Sequence, residues 1–317
     1  MKILVTPTSF KADNRSPAME QLRSFTTDLV FNLQSKPLTE DEVIPLIKDC
    51  EGYIAGLDSV SRKVIENAPK LKVISRYGVG VDKVDLIAAK EKGITVTNTP
   101  AANSNAVADL TFGLLLSIAR KIPLLDRKVR EGEWPRSNGF ELYGKTFGII
   151  GLGSIGKLAA KRAAGFSMRV LACDPVLNRN IMDTSGVIET PFERLIAESD
   201  FISLHCPLMN ETRNIINEAV MKSMKKGAVI INTARGGLLD ESAAYELLKS
   251  GHLGGLGMDS YETEPPGASP LFTLDNVVLT PHTGAHTAEA TAAMANMSVR
   301  NLIDVLSGNS CQYIVNK

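Results

Sequence analysis

The chain has 317 residues, enough for about two domains whose cores need neither disulfides nor metals. Its 35 basic and 35 acidic side chains cancel, so no net charge attracts nucleic acid or an acidic membrane, and neither partner is expected. Hydrophobic residues make up 44% of the chain, which excludes a disordered protein, and no apolar run is long enough to span a bilayer. Four scattered cysteines without Cys-x-x-Cys spacing favour reduced thiols in a cytoplasmic protein.

The first hundred residues alternate short β-rich apolar runs with segments whose apolar residues recur at helical spacing. Such alternation predicts a parallel, doubly wound sheet whose faces are covered by helices. The predicted strands are 2–6, 29–33, 52–55, 71–76 and 94–98, and the predicted helices are 41–48, 61–67 and 84–92.

A break at Asn98-Thr99-Pro100 is followed by one long apolar helix over residues 104–120, which is either an interdomain linker, a dimer surface or both. A polar stretch around Trp134 then separates this helix from a second α/β series. A last helix over 289–306 begins beyond that series, and its periodicity alone does not say which domain it joins. The second series has predicted strands at 146–150, 169–172, 201–205, 228–232, 257–259 and 277–279, and predicted helices at 155–165, 192–198, 219–224 and 241–250.

The strongest local pattern is the segment 151–156, Gly-Leu-Gly-Ser-Ile-Gly, which lies between a predicted strand and a predicted alanine-rich helix. In this context Gly151 permits a tight turn, Gly153 lets the backbone approach a pyrophosphate, and Gly156 allows close helix–strand packing. The N–H groups at the start of the helix attract the phosphates. Asp174 ends the next strand, where a carboxylate accepts from ribose hydroxyls and repels a 2′-phosphate, so NAD is favoured over NADP.

Charged side chains follow three further strands of the second series, at the ends where open α/β sheets bind ligands. Arg235 follows one strand and His282 another, and a glutamate, Glu262 or Glu264, lies in a loop between them. Taken singly, each has a commoner structural explanation, as a surface ion pair, a solvated loop charge or a turn histidine. Together they supply the carboxylate anchor, the base and the group orienting the base that hydride transfer from a 2-hydroxy acid needs. No pair among the other histidines, His205, His252 and His286, has helical metal-ligand spacing, so no metal is expected.

These motifs, with the segment 76–82, Arg-Tyr-Gly-Val-Gly-Val-Asp, resemble the D-2-hydroxyacid dehydrogenase family over nearly the whole chain, and the D-3-phosphoglycerate dehydrogenases most. The resemblance implies an α/β fold of two doubly wound parallel-sheet domains. A Rossmann-type NAD-binding domain, residues 101–286, would be inserted into a flavodoxin-like substrate domain formed by residues 1–100 and 287–317. The resemblance also implies an active site in the cleft between the domains and a homodimer formed through the cofactor domain.

The roles of the family's site residues carry over to matching positions of this chain. His282 is implied as the acid/base, Glu264 rather than Glu262 as its partner, and Arg235 as the substrate clamp. The implied substrate-binding residues are Arg76, Gly78, Val79, Gly80 and Arg235, the glycine-loop N–H groups holding the carboxylate. The implied cofactor contacts are Gly151, Gly153, Ser154, Ile155, Gly156, Asp174, Cys206, Thr233, Asp259, His282, Gly284 and Ala285, with Val79 beside them.

The resemblance implies an NAD-dependent oxidoreductase that interconverts a D-2-hydroxy acid and its 2-keto acid, similar to phosphoglycerate dehydrogenase. A hydroxypyruvate or glyoxylate reductase, or a sugar-acid dehydrogenase, is the alternative, because Gly56 stands where phosphoglycerate enzymes commonly carry an arginine. Some relatives are NAD-sensing transcriptional corepressors, which is a hypothesis of a different class. Since the chain ends at Lys317, a short form without the C-terminal regulatory domain is expected.

Overall fold

The computed structural model describes residues 1–13, 15–34, 36–175 and 186–317. Within these residues the chain forms two compact units, Met1–Asn103 with His286–Lys317, called here the outer unit, and Ser104–Ala285, called the inserted unit. The sequence prediction placed the boundaries after residues 100 and 286. Each unit has its own parallel sheet, so the predicted class, two doubly wound parallel-sheet domains with one inserted into the other, is confirmed.

Within the described residues, the sheet of the outer unit has five parallel strands: β1 (Ile3–Val5), β2 (Leu29–Phe31), β3 (Gly52–Ala55), β4 (Val73–Arg76) and β5 (Thr95–Thr97). Their order is β2-β1-β3-β4-β5. The central strands β1, β3 and β4 are buried throughout, because helices cover both faces of such a sheet. The chain runs from β1 to β2 on one side and then crosses to β3 on the other, so the switch point of the sheet lies between β1 and β3.

The helices of the outer unit are α1 (Pro17–Phe25), α2 (Glu40–Ile47), α3 (Arg62–Glu66), α4 (Leu86–Glu91) and α11 (Ala288–Leu306). Helix α11 packs against α1, β3, β4 and β5, so the C-terminal helix belongs to the outer unit. Helix α1 was not predicted from the sequence. It begins after Ser16, whose hydroxyl caps it, but it buries only Ala18, Met19 and Leu22, too short an apolar face to stand out.

Within the described residues, the sheet of the inserted unit has seven parallel strands: β6 (Thr146–Ile150), β7 (Arg169–Cys173), β8 (Val187–Glu189), β9 (Phe201–Leu204), β10 (Ala228–Asn232), β11 (Leu253–Met258) and β12 (Val277–Leu279). Their order is β12-β11-β10-β9-β6-β7-β8, so the switch point of this sheet lies between β6 and β9. The edge strand β8 was not predicted, because only Val187 of its three residues is buried.

The helices of the inserted unit are α5 (Ser104–Ala119), α6 (Ile122–Arg130), α7 (Ser154–Gly165), α8 (Phe192–Glu198), α9 (Glu218–Ser223) and α10 (Glu241–Lys249). Ten of the sixteen residues of α5 are buried, because it packs against α7, β10, β11 and β12. Helix α6 was not predicted, and none of its residues is buried. No helix in the described ranges has both the length and the apolar character needed to cross a bilayer.

Candidate active site

The predicted site residues of the inserted unit follow the carboxyl ends of its strands. These ends meet at one edge of a parallel sheet, where ligands of open α/β folds bind. The residues and the strands they follow are Gly151 after β6, Asp174 after β7, Cys206 after β9, Thr233 and Arg235 after β10, Asp259 after β11, and His282 after β12.

The glycine-rich loop between β6 and α7 has the geometry of an anion site. Gly151 has φ of +95°, and a Cβ there would lie 2.6 Å from the backbone nitrogen of Cys206. A Cβ on Gly156 would lie 2.2 Å from the carbonyl oxygen of Gly151, whereas one on Gly153 would meet nothing within 4 Å. Gly153 is also the N-cap of α7 and provides no side-chain cap, so the first N–H groups of the helix stay available. The loop therefore fits a pyrophosphate.

Asp174 lies against this loop. Its Oδ2 accepts a hydrogen bond from the backbone N–H of Leu152 at 2.6 Å. Its chain neighbours, Cys173 and Pro175, bring no positive charge that would favour a 2′-phosphate. Across the loop, burial raises the pKa of Cys206 to about 11, so this thiol stays neutral beside the anion site. The position of Asp174 beside the glycine-rich loop suits a carboxylate that binds the two hydroxyls of a ribose.

The other predicted cofactor residues lie in the same loops. Ser154 and Ile155 form the first turn of α7, and Gly284 and Ala285 end the loop after β12. Thr233 is 8% exposed, and its hydroxyl lies 3.1 Å from that of Thr111 on α5. These residues are therefore brought to the same edge of the sheet as the glycine-rich loop.

His282 and Glu264 form a direct pair. Nδ1 of His282 lies 2.8 Å from Oε1 of Glu264, and their side chains are 25% and 16% exposed. A carboxylate accepts, so we assign the proton between them to Nδ1. The same Oε1 accepts from the backbone N–H of Tyr261 at 3.2 Å. Nε2 has no hydrogen-bond partner in the described part of the chain, and it is the ring atom available to a substrate.

Asp259 fixes the loop that carries His282. This side chain is 2% exposed, and its Oδ1 accepts from the hydroxyl of Thr280 at 2.6 Å and from the N–H of Thr283 at 2.7 Å. Its Oδ2 accepts from the N–H of Gly284 at 2.8 Å. The carboxylate thus holds the chain on both sides of the histidine. The sequence analysis assigned no role to the two threonines, although both lie within two residues of His282 in the chain.

The arginine loop packs against the glutamate loop. A Cβ on Gly236 would lie 1.9 Å from the backbone of Tyr261, so only glycine permits this approach. Nη1 of Arg235 donates to the carbonyl oxygen of Ala234 at 2.7 Å, and Ser260 donates to the same oxygen at 3.1 Å. The loop of Glu264 therefore contacts both the loop of Arg235 and the loop of His282.

Two further residues, which the sequence did not reveal, support the glutamate loop. The hydroxyl of Tyr261 donates to the carbonyl oxygen of Thr280 at 2.8 Å, and burial raises the pKa of this phenol to about 12. Oε1 of Glu241, the first residue of α10, accepts from the N–H of Glu262 at 2.8 Å, and burial raises the pKa of this carboxyl. The supporting role of these two residues is visible only in the folded structure, because it depends on contacts between loops.

In the outer unit, the predicted substrate residues lie at the carboxyl end of β4. Arg76 is the last residue of the strand, and Gly78, Val79 and Gly80 lie in the loop that follows it. The N–H groups of Gly78, Val79 and Gly80 have no acceptor within the described residues. Arg76 is 5% exposed, and its Nη1 donates to the carbonyl oxygens of Ala55 and Tyr77. The loop thus presents free N–H groups above a buried guanidinium, an arrangement that suits a carboxylate.

The other two histidines of the inserted unit, His205 and His252, have structural contacts. Nε2 of His205 lies 2.9 Å from the hydroxyl of Ser203, and burial lowers the pKa of His205 to about 4, so the ring is neutral. Nε2 of His252 lies 2.9 Å from the carbonyl oxygen of Met221. Of the histidines in the inserted unit, His282 alone is paired with a carboxylate in the described ranges.

The chain is similar to known proteins over most of its length. Residues 112–284, more than half of the chain, match the family model described as D-isomer specific 2-hydroxyacid dehydrogenase, NAD binding domain. The chain belongs to this family. It is 46% identical over 283 residues to a D-3-phosphoglycerate dehydrogenase of Methanocaldococcus jannaschii, covering 88% of this chain and 54% of that relative. It therefore spans about half the length of that relative.

Two other known proteins match this chain along most of their own length. A glyoxylate reductase of Korarchaeum cryptofilum is 40% identical, covering 89% of this chain and 87% of the relative. A crystal structure of D-lactate dehydrogenase from Aquifex aeolicus, complexed with NAD and lactic acid, matches with a TM-score of 0.88 at 28% identity, covering 100% of this chain and 99% of that one. The predicted family, the reaction class of an oxidoreductase acting on 2-hydroxy acids, and NAD as the cofactor are confirmed.

Proposed function

We propose that the protein interconverts a D-2-hydroxy acid and its 2-keto acid, with Arg235, Glu264 and His282 as its catalytic residues. The 2.8 Å contact between Nδ1 of His282 and Oε1 of Glu264 carries this proposal. It pairs an imidazole with the carboxylate that orients it, and it leaves Nε2 for a proton on the substrate.

The proposed mechanism uses one proton and one hydride. NAD, when bound, supplies the nicotinamide ring that accepts the hydride from C2 of the hydroxy acid. Nε2 of His282 takes the hydroxyl proton in the same step, and the Glu264 carboxylate stabilises the resulting imidazolium. In the reverse direction the same imidazolium returns its proton to the carbonyl oxygen of the keto acid.

The substrate carboxylate is proposed to bind two groups of donors. The Arg235 guanidinium can pair with a carboxylate in bidentate geometry, and the loop of Gly78, Val79 and Gly80 offers N–H groups that have no acceptor in the described part of the chain. Arg76 supports that loop through a buried positive charge.

The cofactor is proposed to bind along the strand ends of the inserted unit. The loop of Gly151, Gly153 and Gly156 with the first turn of α7 would hold the pyrophosphate, and Asp174 the adenosine ribose. The remaining proposed contacts are Ser154, Ile155, Cys206, Thr233, Asp259, His282, Gly284 and Ala285.

Two classes of substrate are candidates: a phosphorylated acid, because one relative is named D-3-phosphoglycerate dehydrogenase, and a simple keto acid, because another is named glyoxylate reductase. NADH oxidation with a panel of 2-keto acids tests the proposal directly. We expect turnover with at least one of them and its loss in His282→Ala. A folded, NADH-binding protein that oxidises NADH with none of them would contradict the proposed function.

A homodimer formed through the inserted unit is part of the proposal. Helix α6 buries none of its residues. The apolar side chains of Ile122 and Val129 on this helix, and of Trp134 and Tyr143 in the segment between it and β6, are between 51% and 79% exposed. Sedimentation at micromolar concentration should give twice the chain mass, and Trp134→Glu should lower it. A wild-type monomer would contradict this assembly.

A cytoplasmic location, expected from reduced thiols, stays a prediction.

A further inference from the structure

Tyr261 and His282 share two hydrogen-bond acceptors. Oε1 of Glu264 accepts from the backbone N–H of Tyr261 at 3.2 Å and lies 2.8 Å from Nδ1 of His282. The carbonyl oxygen of Thr280 accepts from the hydroxyl of Tyr261 at 2.8 Å and from the backbone N–H of His282 at 3.0 Å. Four hydrogen bonds therefore form a closed ring, in which the tyrosine and the histidine each donate to the glutamate and to the same peptide carbonyl.

The two ends of Tyr261 orient different parts of the Glu264–His282 pair. The backbone N–H holds the carboxylate, whereas the phenol holds the peptide of Thr280. The bond from the N–H of His282 to that peptide closes a three-residue turn over Pro281, and His282 itself has φ of +53°. Because this left-handed conformation is unfavourable for a non-glycine residue, the turn needs support from outside, and the phenol provides it.

The Tyr261 hydroxyl is a permanent donor in a defined position. Its side chain is 9% exposed and packs in the core of the inserted unit, and a tyrosine has only two side-chain torsions. Burial, and then the nearby carboxylates of Asp259, Glu241 and Glu264, raise the pKa of this phenol to about 12, so it keeps its proton near neutral pH. The close approach of Gly236 fixes the backbone of Tyr261 as well.

Asp259 does not duplicate the contact made by Tyr261. The Asp259 carboxylate binds the side-chain hydroxyl of Thr280 and two backbone N–H groups that follow the histidine. The carbonyl oxygen of Thr280 accepts only from Tyr261 and His282 within the described residues. The peptide just before Pro281 is therefore held by the phenol and not by the carboxylate.

We propose that the Tyr261 hydroxyl is a positioning group for proton transfer at His282. It does so by holding the turn from which the imidazole reaches the substrate. This inference rests on the proposed function of His282. Because a misplacement of about 1 Å can cost about a hundredfold in rate, loss of this hydroxyl should slow the chemical step more than it weakens the binding of NADH or keto acid.

The first test is Tyr261→Phe, which removes the hydroxyl and keeps both the ring and the backbone N–H. We expect kcat for keto-acid reduction to fall about tenfold, while KM and the NADH dissociation constant stay within about twofold of the wild type. The stoichiometry of NADH binding gives the concentration of folded sites, so misfolded protein is not counted as lost turnover. A wild-type kcat in this variant overturns the inference.

Tyr245→Phe is the matched control. Tyr245 lies on α10, packs against the same core, and has Nζ of Lys249 at 5.5 Å from its ring centroid. Its hydroxyl has no hydrogen-bond partner among the residues that the structure describes, so the same chemical change should leave kcat within about twofold of the wild type. A fall as large as in Tyr261→Phe would overturn the inference, because the loss would then not depend on the ring.

The second test introduces Tyr261→Phe into His282→Ala. If the hydroxyl acts through the imidazole, the residual turnover of His282→Ala should change by less than about twofold. A purely structural role would lower turnover in both backgrounds. An equal tenfold fall with and without the imidazole therefore overturns the inference.

A third measurement reads the turn itself, by amide hydrogen exchange followed by NMR. In the wild type the N–H of His282 should be protected although it lies in a loop, and Tyr261→Phe should speed its exchange by about tenfold and leave the N–H groups of β6 unchanged. Rapid exchange in the wild type, or unchanged exchange in the variant, overturns the inference and leaves the proposed function intact. Absence of wild-type turnover with every keto acid contradicts the proposed function instead.

Discussion

His282 has φ of +53°, a left-handed backbone conformation that costs a non-glycine residue about 1–3 kcal/mol. The surrounding hydrogen bonds enforce it: Asp259 binds the hydroxyl of Thr280 and the N–H groups of Thr283 and Gly284. Because Glu264 holds Nδ1 of the same ring, both the backbone and the imidazole of this residue are oriented. The direction of Nε2 is therefore set by two carboxylates.

Replacing His282 with alanine removes the proposed proton carrier. We expect His282→Ala to lower turnover by at least about a hundredfold, the scale of a lost acid/base group, with NADH affinity nearly unchanged. Steady-state kinetics and NADH fluorescence titration measure the two quantities. His252→Asn is the control, because His252 contacts only the backbone of Met221 and should stay within a few fold of wild type. Turnover of His282→Ala within a few fold of wild type would exclude the assigned role.

Replacing Glu264 with glutamine tests its partner role. The Glu264 carboxylate accepts from Nδ1 of His282 and stabilises the imidazolium that forms when the ring takes the substrate proton. Glutamine keeps an acceptor for this contact but loses the charge, so Glu264→Gln should lower turnover, although less than His282→Ala does. Steady-state kinetics measure this, and turnover equal to that of the wild type would show that Glu264 does not support His282.

At the scale of elements, the parallel sheet of the inserted unit accounts for the clustering of its site residues. Consecutive strands of a parallel sheet all point their carboxyl ends to one edge, so residues far apart in sequence share it. The β6–α7 turn adds a helix N-terminus at the switch point between β6 and β9. Asp174, from the adjacent strand, is hydrogen-bonded to this turn.

Asp174 should determine which cofactor the β6–α7 turn accepts. We expect Asp174→Ala to weaken NAD binding and to raise the ratio of NADPH to NADH activity by about tenfold, because it removes both the ribose acceptor and the repulsive charge. Asp174→Asn separates the two effects, since it keeps an acceptor and loses the charge. Kinetics with both cofactors measure the ratio. A wild-type enzyme that uses NADPH as well as NADH would contradict the charge argument.

At the scale of the whole molecule, each unit has its own core and its own network of buried polar groups. In the outer unit, the C-terminal segment is hydrogen-bonded to the residues in and after β5. The N–H of Val315 donates to the carbonyl oxygen of Val96, and the N–H of Asn98 donates to the carbonyl oxygen of Tyr313. In the inserted unit, the Nδ1 atom of His205 is buried without a partner among the described residues. Such a group links the stability of the unit to pH.

Stability should fall in mild acid because of His205. Its pKa is lowered from 6.5 to about 4 by burial, so between these values the unfolded chain binds a proton that the folded chain does not. The free energy of unfolding should therefore decrease as pH falls from about 6.5 to about 4, by at most about 3 kcal/mol from this group. Urea denaturation across this pH range measures it, and His205→Asn should flatten the curve. If the free energy of unfolding depended on pH equally in the wild type and in His205→Asn, the assignment to His205 would be contradicted.

Much of the fold was predictable because the signals are local. Alternating apolar strands and helical periodicity placed most elements to within a few residues, since each pattern reflects burial of one face. The missed elements, α1, α6 and β8, have small buried faces or none. The glycine-rich loop was recognisable because a tight turn and a close helix contact each demand glycine at a given position.

The sequence by itself determined the family, the class of fold, the cofactor and the chemical types at the strand ends, because these depend on residue identity and short spacings. Only the tertiary structure decided which groups meet. It paired Glu264 with His282, joined Asp259 to the histidine loop, and placed α11 in the outer unit. It also buried Asp58, an acidic residue of the loop that follows β3, against Thr6, the residue that follows β1. Each of these contacts joins residues separated in the chain, and packing alone brings them together.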